Sequence, residues 1–213
     1  MSQYNFSGNT PVQKYVVENK KDVIIAERSF QLNRSKCKFV SIGLKYGAEC
    51  IPVITLCGNQ GQRVIFTEED WKDLLYYQGV ITNYLYTVGD SVSIDRKNYS
   101  VEFEKVQEAK VIKISQTNCY IYLGYESICK LWEVLPLIQH HINHLKQGSF
   151  DEYLKSLYQR LRNNTGNFYE NVLRSVDAST HIRFEDLSNI LELVYVYPEV
   201  LKDVYTNWEK SNF

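Results

Sequence analysis

Phe39-Val40-Ser41-Ile42-Gly43-Leu44-Lys45-Tyr46 alternates along its whole length. Val40, Ile42, Leu44 and Tyr46 take one parity, and Phe39, Ser41, Gly43 and Lys45 the other, which is the period of a half-buried strand. Set 57 residues further along, Arg96-Lys97-Asn98-Tyr99-Ser100-Val101-Glu102-Phe103 lies under it. At the same offset Val64-Ile65-Phe66-Thr67 lies over Ile121-Tyr122-Leu123-Gly124. The helical stretches that follow keep step: Trp71 over Ile128, Leu74 over Leu131, Leu75 over Trp132, Ile81 over Ile138, and Leu85 over Ile142. Residue identity between the copies is low. The shared order of strand period and helix period predicts one strands-then-helix unit used twice.

The chain has 213 residues, 44% of them hydrophobic and 23% charged, which suits a globular protein with a real core and excludes wholesale disorder. Tyrosine is in excess, with 17 residues beside 9 Phe, and its apolar ring with a polar tip suits half-buried strands and recognition surfaces alike. The five cysteines (Cys37, Cys50, Cys57, Cys119, Cys129) are odd in number and form no C-x-x-C pair. Reduced structural thiols inside the cell are expected, rather than a disulfide frame or a zinc knuckle. No stretch reads as a signal peptide or a membrane span. Net charge is −1, but it is unevenly placed. Residues 1–60 hold eight Lys/Arg against four Asp/Glu, residues 61–147 nine against eleven, and residues 148–213 seven against ten. A basic strand-rich front can still attract a polyanion, because local potential decides encounter.

Residues 1–13 read as a loose arm. Val23–Ala26 and Ser29–Leu32 read as short strands, followed by Lys38–Tyr46, Pro52–Leu56 and Arg63–Phe66. Thr67-Glu68-Glu69-Asp70 then starts a helix, with a hydroxyl cap and three acids at the positive end of the dipole. That helix is expected through Leu85, with Gly79 as a weak point. The second copy has strands at Tyr99–Phe103, Val111–Ile114 and Cys119–Leu123, then a helix from about Ser127 that Pro136 should kink. Beyond Gly148, helices are expected over about 150–162, 167–176 and 184–207, the last interrupted near Pro198. This tail has no counterpart in the repeat. Its stripes (Tyr153, Leu154, Leu157, Leu161; Leu187, Ile190, Leu191, Val194) should dock on the core or on another chain, leaving Glu185, Asp186 and Glu192 in solvent. An acidic tail beside a basic groove would also compete with nucleic acid.

The outward strand positions mix cations with rings: Phe39, Lys45 and Arg63 in the first copy, Tyr120 and Tyr122 in the second. Sequence-tolerant single-strand binding needs that mixture, with cations tracking phosphates and rings stacking bases. Aromatic strand residues also simply fill a layered fold or an interface. His140 and His144 share a helix face, but no Glu stands between them as in H-E-x-x-H, and histidine near a helix C-terminus complements the dipole. No phosphate loop, dinucleotide fingerprint or nucleophile elbow is present, so no metal site, cofactor or catalytic residue is assigned, and a non-enzymatic protein is expected.

Ser29-Phe30-Gln31-Leu32, Lys38-Phe39-Val40-Ser41-Ile42, Ile51-Pro52-Val53-Ile54-Thr55-Leu56, and Gly61-Gln62-Arg63-Val64-Ile65-Phe66-Thr67-Glu68-Glu69-Asp70-Trp71-Lys72-Asp73-Leu74 together resemble the transcriptional coactivator positive cofactor 4 family. The resemblance covers about residues 28–86 directly, and 92–146 through the repeat. It departs from the family pattern in a shorter region between second and third strands, a Gly-basic turn that keeps only Arg63, and Gly43 in place of a larger polar residue.

The resemblance implies an α+β fold of two four-strand-plus-helix units (14–90 and 91–147) joined through their helices as a pseudo-dimer within one chain, followed by a helical extension over 148–213. It implies binding of single-stranded or melted DNA, with Lys38, Phe39, Lys45 and Arg63 in or next to the strand segments that bind DNA in the family; with the residue reading added, Lys36, Lys38, Lys45, Arg63 and Lys113 are expected on phosphate and Phe39, Tyr120 and Tyr122 on bases. It further implies a nuclear role in transcription or replication; outside the resemblance, the extension is expected to meet partner proteins, and no membrane is expected. Self-association of the chain is compatible with it. The alternative is a protein-interaction or assembly module that kept this fold and lost the DNA site.

Overall fold

The computed structural model describes residues 22–89, 92–117, 119–148, 150–162, 164–177 and 182–211. The arm expected over residues 1–13 lies outside the described residues. The first half of the chain forms a four-stranded antiparallel sheet in chain order: β1 (Ile24–Gln31), β2 (Lys38–Lys45), β3 (Ile51–Gly58) and β4 (Arg63–Thr67). The two short strands expected at the start are one strand with a bulge, where the register against β2 jumps between Ile25 and Arg28 and Ala26 adopts φ 53°. The bulge leans its backbone onto Gly43, where an added Cβ would stand 2.5 Å from Ile24 Cγ2 and 2.9 Å from the Ile25 carbonyl. Only glycine admits so close an approach.

Thr67 caps the first helix, its hydroxyl accepting the Asp70 amide at 3.2 Å. The single helix expected here is two, α1 (Glu68–Tyr76) and α2 (Gln78–Tyr86), because the Tyr77 amide turns back onto the Leu74 carbonyl at 3.0 Å. A second antiparallel sheet follows: β5 (Ile94–Asp95), β6 (Ser100–Val106), β7 (Ala109–Gln116) and β8 (Cys119–Gly124). The long α3 (Tyr125–Gln147) remains one helix across Pro136.

The two sheets repeat one another with a corrected register. The core row Val40, Leu56, Val64 corresponds to Val101, Ile114, Ile121, spacings of 61, 58 and 57 residues. The constant offset predicted for the second strand fails because residues 46–50 are replaced in the second copy by Gln107–Glu108. Both of those residues have positive φ, 48° and 66°, as a two-residue hairpin turn requires.

The helices cross over. The helix α3 packs on β2 and β3 of the first sheet, while α2 packs on β7 of the second. They run antiparallel: Lys146 bonds Glu68 at 2.8 Å at one end, Trp132 Nε1 donates to Thr82 Oγ1 at 3.1 Å, and the Tyr125 hydroxyl donates to Tyr86 at 2.7 Å at the other. Trp71, Leu74 and Leu131 are buried, with Leu75 and Trp132 half-buried beside them, in one hydrophobic cluster that spans both sheets. Each sheet therefore closes its apolar face with a helix from the other half, and the cluster is continuous between them. Lys110 ties the arrangement together by donating from β7 to the carbonyls of Tyr84, Thr87 and Gly89 at 2.9, 2.6 and 2.7 Å, a side-chain cap on the negative end of α2.

The tail comprises α4 (Phe150–Leu161), α5 (Phe168–Asp177), α6 (Phe184–Val196) and α7 (Pro198–Ser211). Leu154, Leu157, Leu161, Ile190 and Val194 form a second cluster with Val23, Ile25, Leu44 and Tyr46 at one end of the first sheet. The stripes thus dock on the core. Two of the acids expected in solvent are engaged instead. Asp186 is buried and takes two bonds from Arg183, both 2.8 Å, and Glu192 accepts the Ala26 amide of the bulge at 3.0 Å. Helix periodicity marked the polar face of α6, but what that face meets was decided by the bulge and by the residue before the helix.

Candidate nucleic-acid interface

Cross-strand register sets the outward face of the first sheet as rows, one of them Gln31, Phe39, Cys57 and Arg63 and the next Ser29, Ser41, Thr55 and Ile65. Ser41 and Thr55 are buried on this face. Glu27, carried by the bulge, reaches across it to accept from Ser41 Oγ at 2.5 Å and from Arg63 Nη2 at 2.6 Å. Arg63 is therefore engaged by a carboxylate, although its Nε is buried with no hydrogen-bond partner. Lys45 is paired with Asp22 at 2.8 Å. Phe39 is half-buried.

On the second sheet Glu102, Lys113 and Tyr122 form one outward row. Lys113 lies 3.2 Å from Glu102 and 3.5 Å from Glu104, and the bond to Glu102 raises its pKa above the ordinary lysine value. Tyr122 donates to Glu104 at 3.1 Å, and desolvation followed by that bond raises its phenol. Tyr120 is 50% exposed, its ring 5.5 Å from that of Tyr122 and 5.6 Å from the Lys113 ammonium. Rings and cation come together here, but Glu102 in the row and Glu104 beside it hold the cation, so this patch is acidic on balance.

Lys36 and Lys38 make no ion pair among the described residues. Lys36 is exposed in the β1–β2 turn at φ 55°. Lys38 has the parity of Val40, so it points to the helix side of β2, opposite to Phe39. Arg34, 98% exposed, makes a loose 3.5 Å contact with Glu126. Between residues 22 and 67 the chain holds six Lys/Arg and three Asp/Glu, so the first-sheet segment is basic on balance.

Beside that turn lies a groove of about 840 Å³ between β1, the end of α2 and the start of α3, lined among others by Arg34, Tyr86, Tyr125, Glu126, Lys130, Trp132 and Glu133, with Lys130 paired to Glu133 at 2.8 Å. Tyr86 and Tyr125 are 62% and 49% exposed, with ring centroids 5.0 Å apart at 77°. The bond to Tyr86 is the first cause of a raised Tyr125 phenol. The sequence reading missed these rings. They stand 39 positions apart and meet only because the helices run antiparallel; the tyrosine excess was their one trace.

Cys37 sits in the same turn, its sulfur bonded by Asn33 Nδ2 at 3.0 Å and Ser35 Oγ at 2.9 Å. Those bonds, Ser35 first, lower its pKa below the ordinary thiol value. Of the α3 histidines, His140 and His144 are exposed, while the His141 ring lies 5.7 Å from Phe30 and burial lowers its pKa. No cluster of three or more His, Cys, Asp or Glu suited to a metal occurs among the described residues, and none of their helices is long and apolar enough to cross a membrane. Comparison of the chain with protein-family models and with curated proteins gives no match.

Proposed function

We propose that this chain is a non-enzymatic single-stranded DNA-binding protein, built as two positive cofactor 4-like units joined as a pseudo-dimer within one chain. The crossing of α2 and α3 over each other's sheets supports the pseudo-dimer, and the observation that carries the binding reading is the basic turn beside an aromatic groove. Arg34 supplies a cation in the groove where Tyr86, Tyr125 and Trp132 supply ring faces, and Lys36 in the adjoining turn and Lys38 at the start of β2 stand outside its lining. Phosphate neutralisation releases counterions, and base stacking adds about 1–3 kcal/mol per base. On this reading the first unit binds, the second closes the core, and the strand follows the groove rather than the outward sheet faces. By the family resemblance the setting is nuclear transcription or replication; the helical extension, which the resemblance does not cover, is the surface we assign to partner proteins.

The assembly-module reading is favoured by a different observation. Lys45, Arg63 and Lys113 each lie against a carboxylate, so the outward faces carry little net positive charge.

Anisotropy titration of a labelled single strand and its duplex at two salt concentrations separates the readings. Binding should favour the single strand and weaken with salt. Lys36→Glu/Lys38→Glu and Tyr86→Ala/Tyr125→Ala should each lose about tenfold or more, and Lys113→Glu should change little. Absence of binding at low salt, or unchanged affinity in both groove variants, would establish the assembly reading instead.

A further inference from the structure

The helix α6 has the composition of a helix covered on every side. Eight of its thirteen residues are apolar, and a helix that is apolar all round is ordinarily buried all round. Here one side alone is covered, where Ile190, Leu193 and Val194 join the cluster with Val23 and Ile25. On the opposite side Phe184, Tyr195 and Val196 are 80%, 71% and 60% exposed. Phe184, Leu191 and Tyr195 stand at i, i+7 and i+11, so they form one row about 17 Å long. Single apolar residues on a surface need no account, but a contiguous row does. The row is bordered by acid: Glu185 and Glu192 lie along one flank at i and i+7, and α6 contains no Lys or Arg. At its start a cleft of about 430 Å³ opens between α6, the β1 bulge and the end of α3. Glu27, Glu185 and Glu192 line that cleft against Arg28, with His141 and His144 on the α3 wall. Glu27 is paired with Arg63, whereas Glu192 accepts an uncharged amide, that of Ala26.

We infer that this face of α6 docks a cationic amphipathic segment of a partner protein, whose apolar side chains lie on Phe184, Leu191 and Tyr195 and whose Lys or Arg reaches Glu185 at the cleft. Charge selects the occupant. A nucleic-acid strand or an anionic lipid surface would bring phosphate against Glu185 and Glu192. A second copy of the chain, pairing this face with its twin, would set the same acids against one another, since an isologous interface repeats its own surface. A helix with an apolar side toward the row and Lys or Arg along its flank meets both the row and the acids. The inference rests on the assignment of the extension to partner proteins, to which it gives a place and a chemistry, and it is independent of the strand groove.

Anisotropy titration of a labelled amphipathic helical peptide of Leu and Lys, and of its Leu and Glu counterpart, into the full chain tests the face. The Lys peptide should bind, less tightly as salt rises, and the Glu peptide about tenfold more weakly or not at all. Affinity for the Lys peptide should fall about tenfold or more in Phe184→Ala/Tyr195→Ala and about threefold or more in Glu185→Lys. Both variants should melt with the parent, because the three side chains are exposed, and both should keep the parent's single-strand affinity, so this face and the strand groove are read separately. A Lys peptide bound equally by the parent and both variants overturns this face and leaves the rest of the extension as the partner surface. Binding of neither peptide overturns the cationic partner. A parent that dimerises in sedimentation velocity, with Phe184→Ala/Tyr195→Ala monomeric, assigns the face to a second copy and overturns the inference as well.

Discussion

The side-chain amide of Gln116 occupies both backbone groups of Ile65, accepting the Ile65 N–H at Oε1 and donating from Nε2 to the Ile65 carbonyl, each at 2.9 Å. A glutamine at the end of β7 thus stands in for a strand residue along the edge of β4 and stitches the first sheet to the second. The bond is one-sided: by the repeat Gln116 corresponds to Gly58, which has no side chain to return it. Gln116→Ala should leave two backbone groups of β4 without partners and lower stability by about 1–3 kcal/mol. Urea unfolding measures the loss, and amide exchange at Ile65 should quicken before that of the sheet centre. Unchanged stability would mean that water replaces the amide at no cost.

Two glycines should respond in opposite directions. A methyl on Gly43 meets the bulge backbone, so Gly43→Ala should cost about 1–3 kcal/mol through overpacking. Gly79 has nothing within 4 Å and lies in the first turn of α2, so Gly79→Ala should raise stability by up to about 1 kcal/mol. Thermal melting of both variants checks the pair.

Removal of residues 149–213 should uncover Val23, Ile25, Leu44 and Tyr46 and strip Glu192 from the bulge. The truncated chain should melt lower or associate, by calorimetry and light scattering. Tighter single-strand binding by that chain would show that the tail competes for the groove. A truncated chain equal to the parent in melting, association and affinity would contradict both roles.

The Tyr46 and Tyr158 hydroxyls share a buried hydrogen bond between the first sheet and α4. Burial raises both phenols well above the ordinary value near 10, so the folded state keeps protons that the unfolded chain releases. The stability this provides is complete below about pH 10 and falls as pH rises beyond it. Tail unfolding in alkali, followed by tyrosinate absorbance, should become less pH-dependent in Tyr46→Phe.

Thiol reactivity should rank by environment, because the thiolate is the nucleophile. Cys37, lowered by its two hydrogen bonds, should alkylate first near neutral pH, whereas burial pushes Cys50 up to about 12 and should keep it unreactive until the chain unfolds. Mass spectrometry of iodoacetamide-treated protein gives the order. If Cys37 lies on the strand path, bound oligonucleotide should slow its reaction.

The sequence by itself determined the elements and the repeat. Alternation in β2, β4 and β8 placed Val40, Val64 and Ile121 inward, the Thr67 cap marked where α1 begins, and apolar spacing in α4 and α6 marked the faces that dock. These are local properties, set by period and propensity over a few residues. Only the tertiary structure decided the second-strand register, because a shorter turn moves every later pairing. It also decided the partners of charge. Glu27 meets Arg63 across 36 positions and Glu192 meets Ala26 across 166, through a bulge and a docked helix that no local pattern announces. The grouping of Tyr86 with Tyr125 arises in the same way. A side chain's ligand or ion partner depends on which elements fold together, and that is fixed by packing of the whole core rather than by the residues alongside it in the chain.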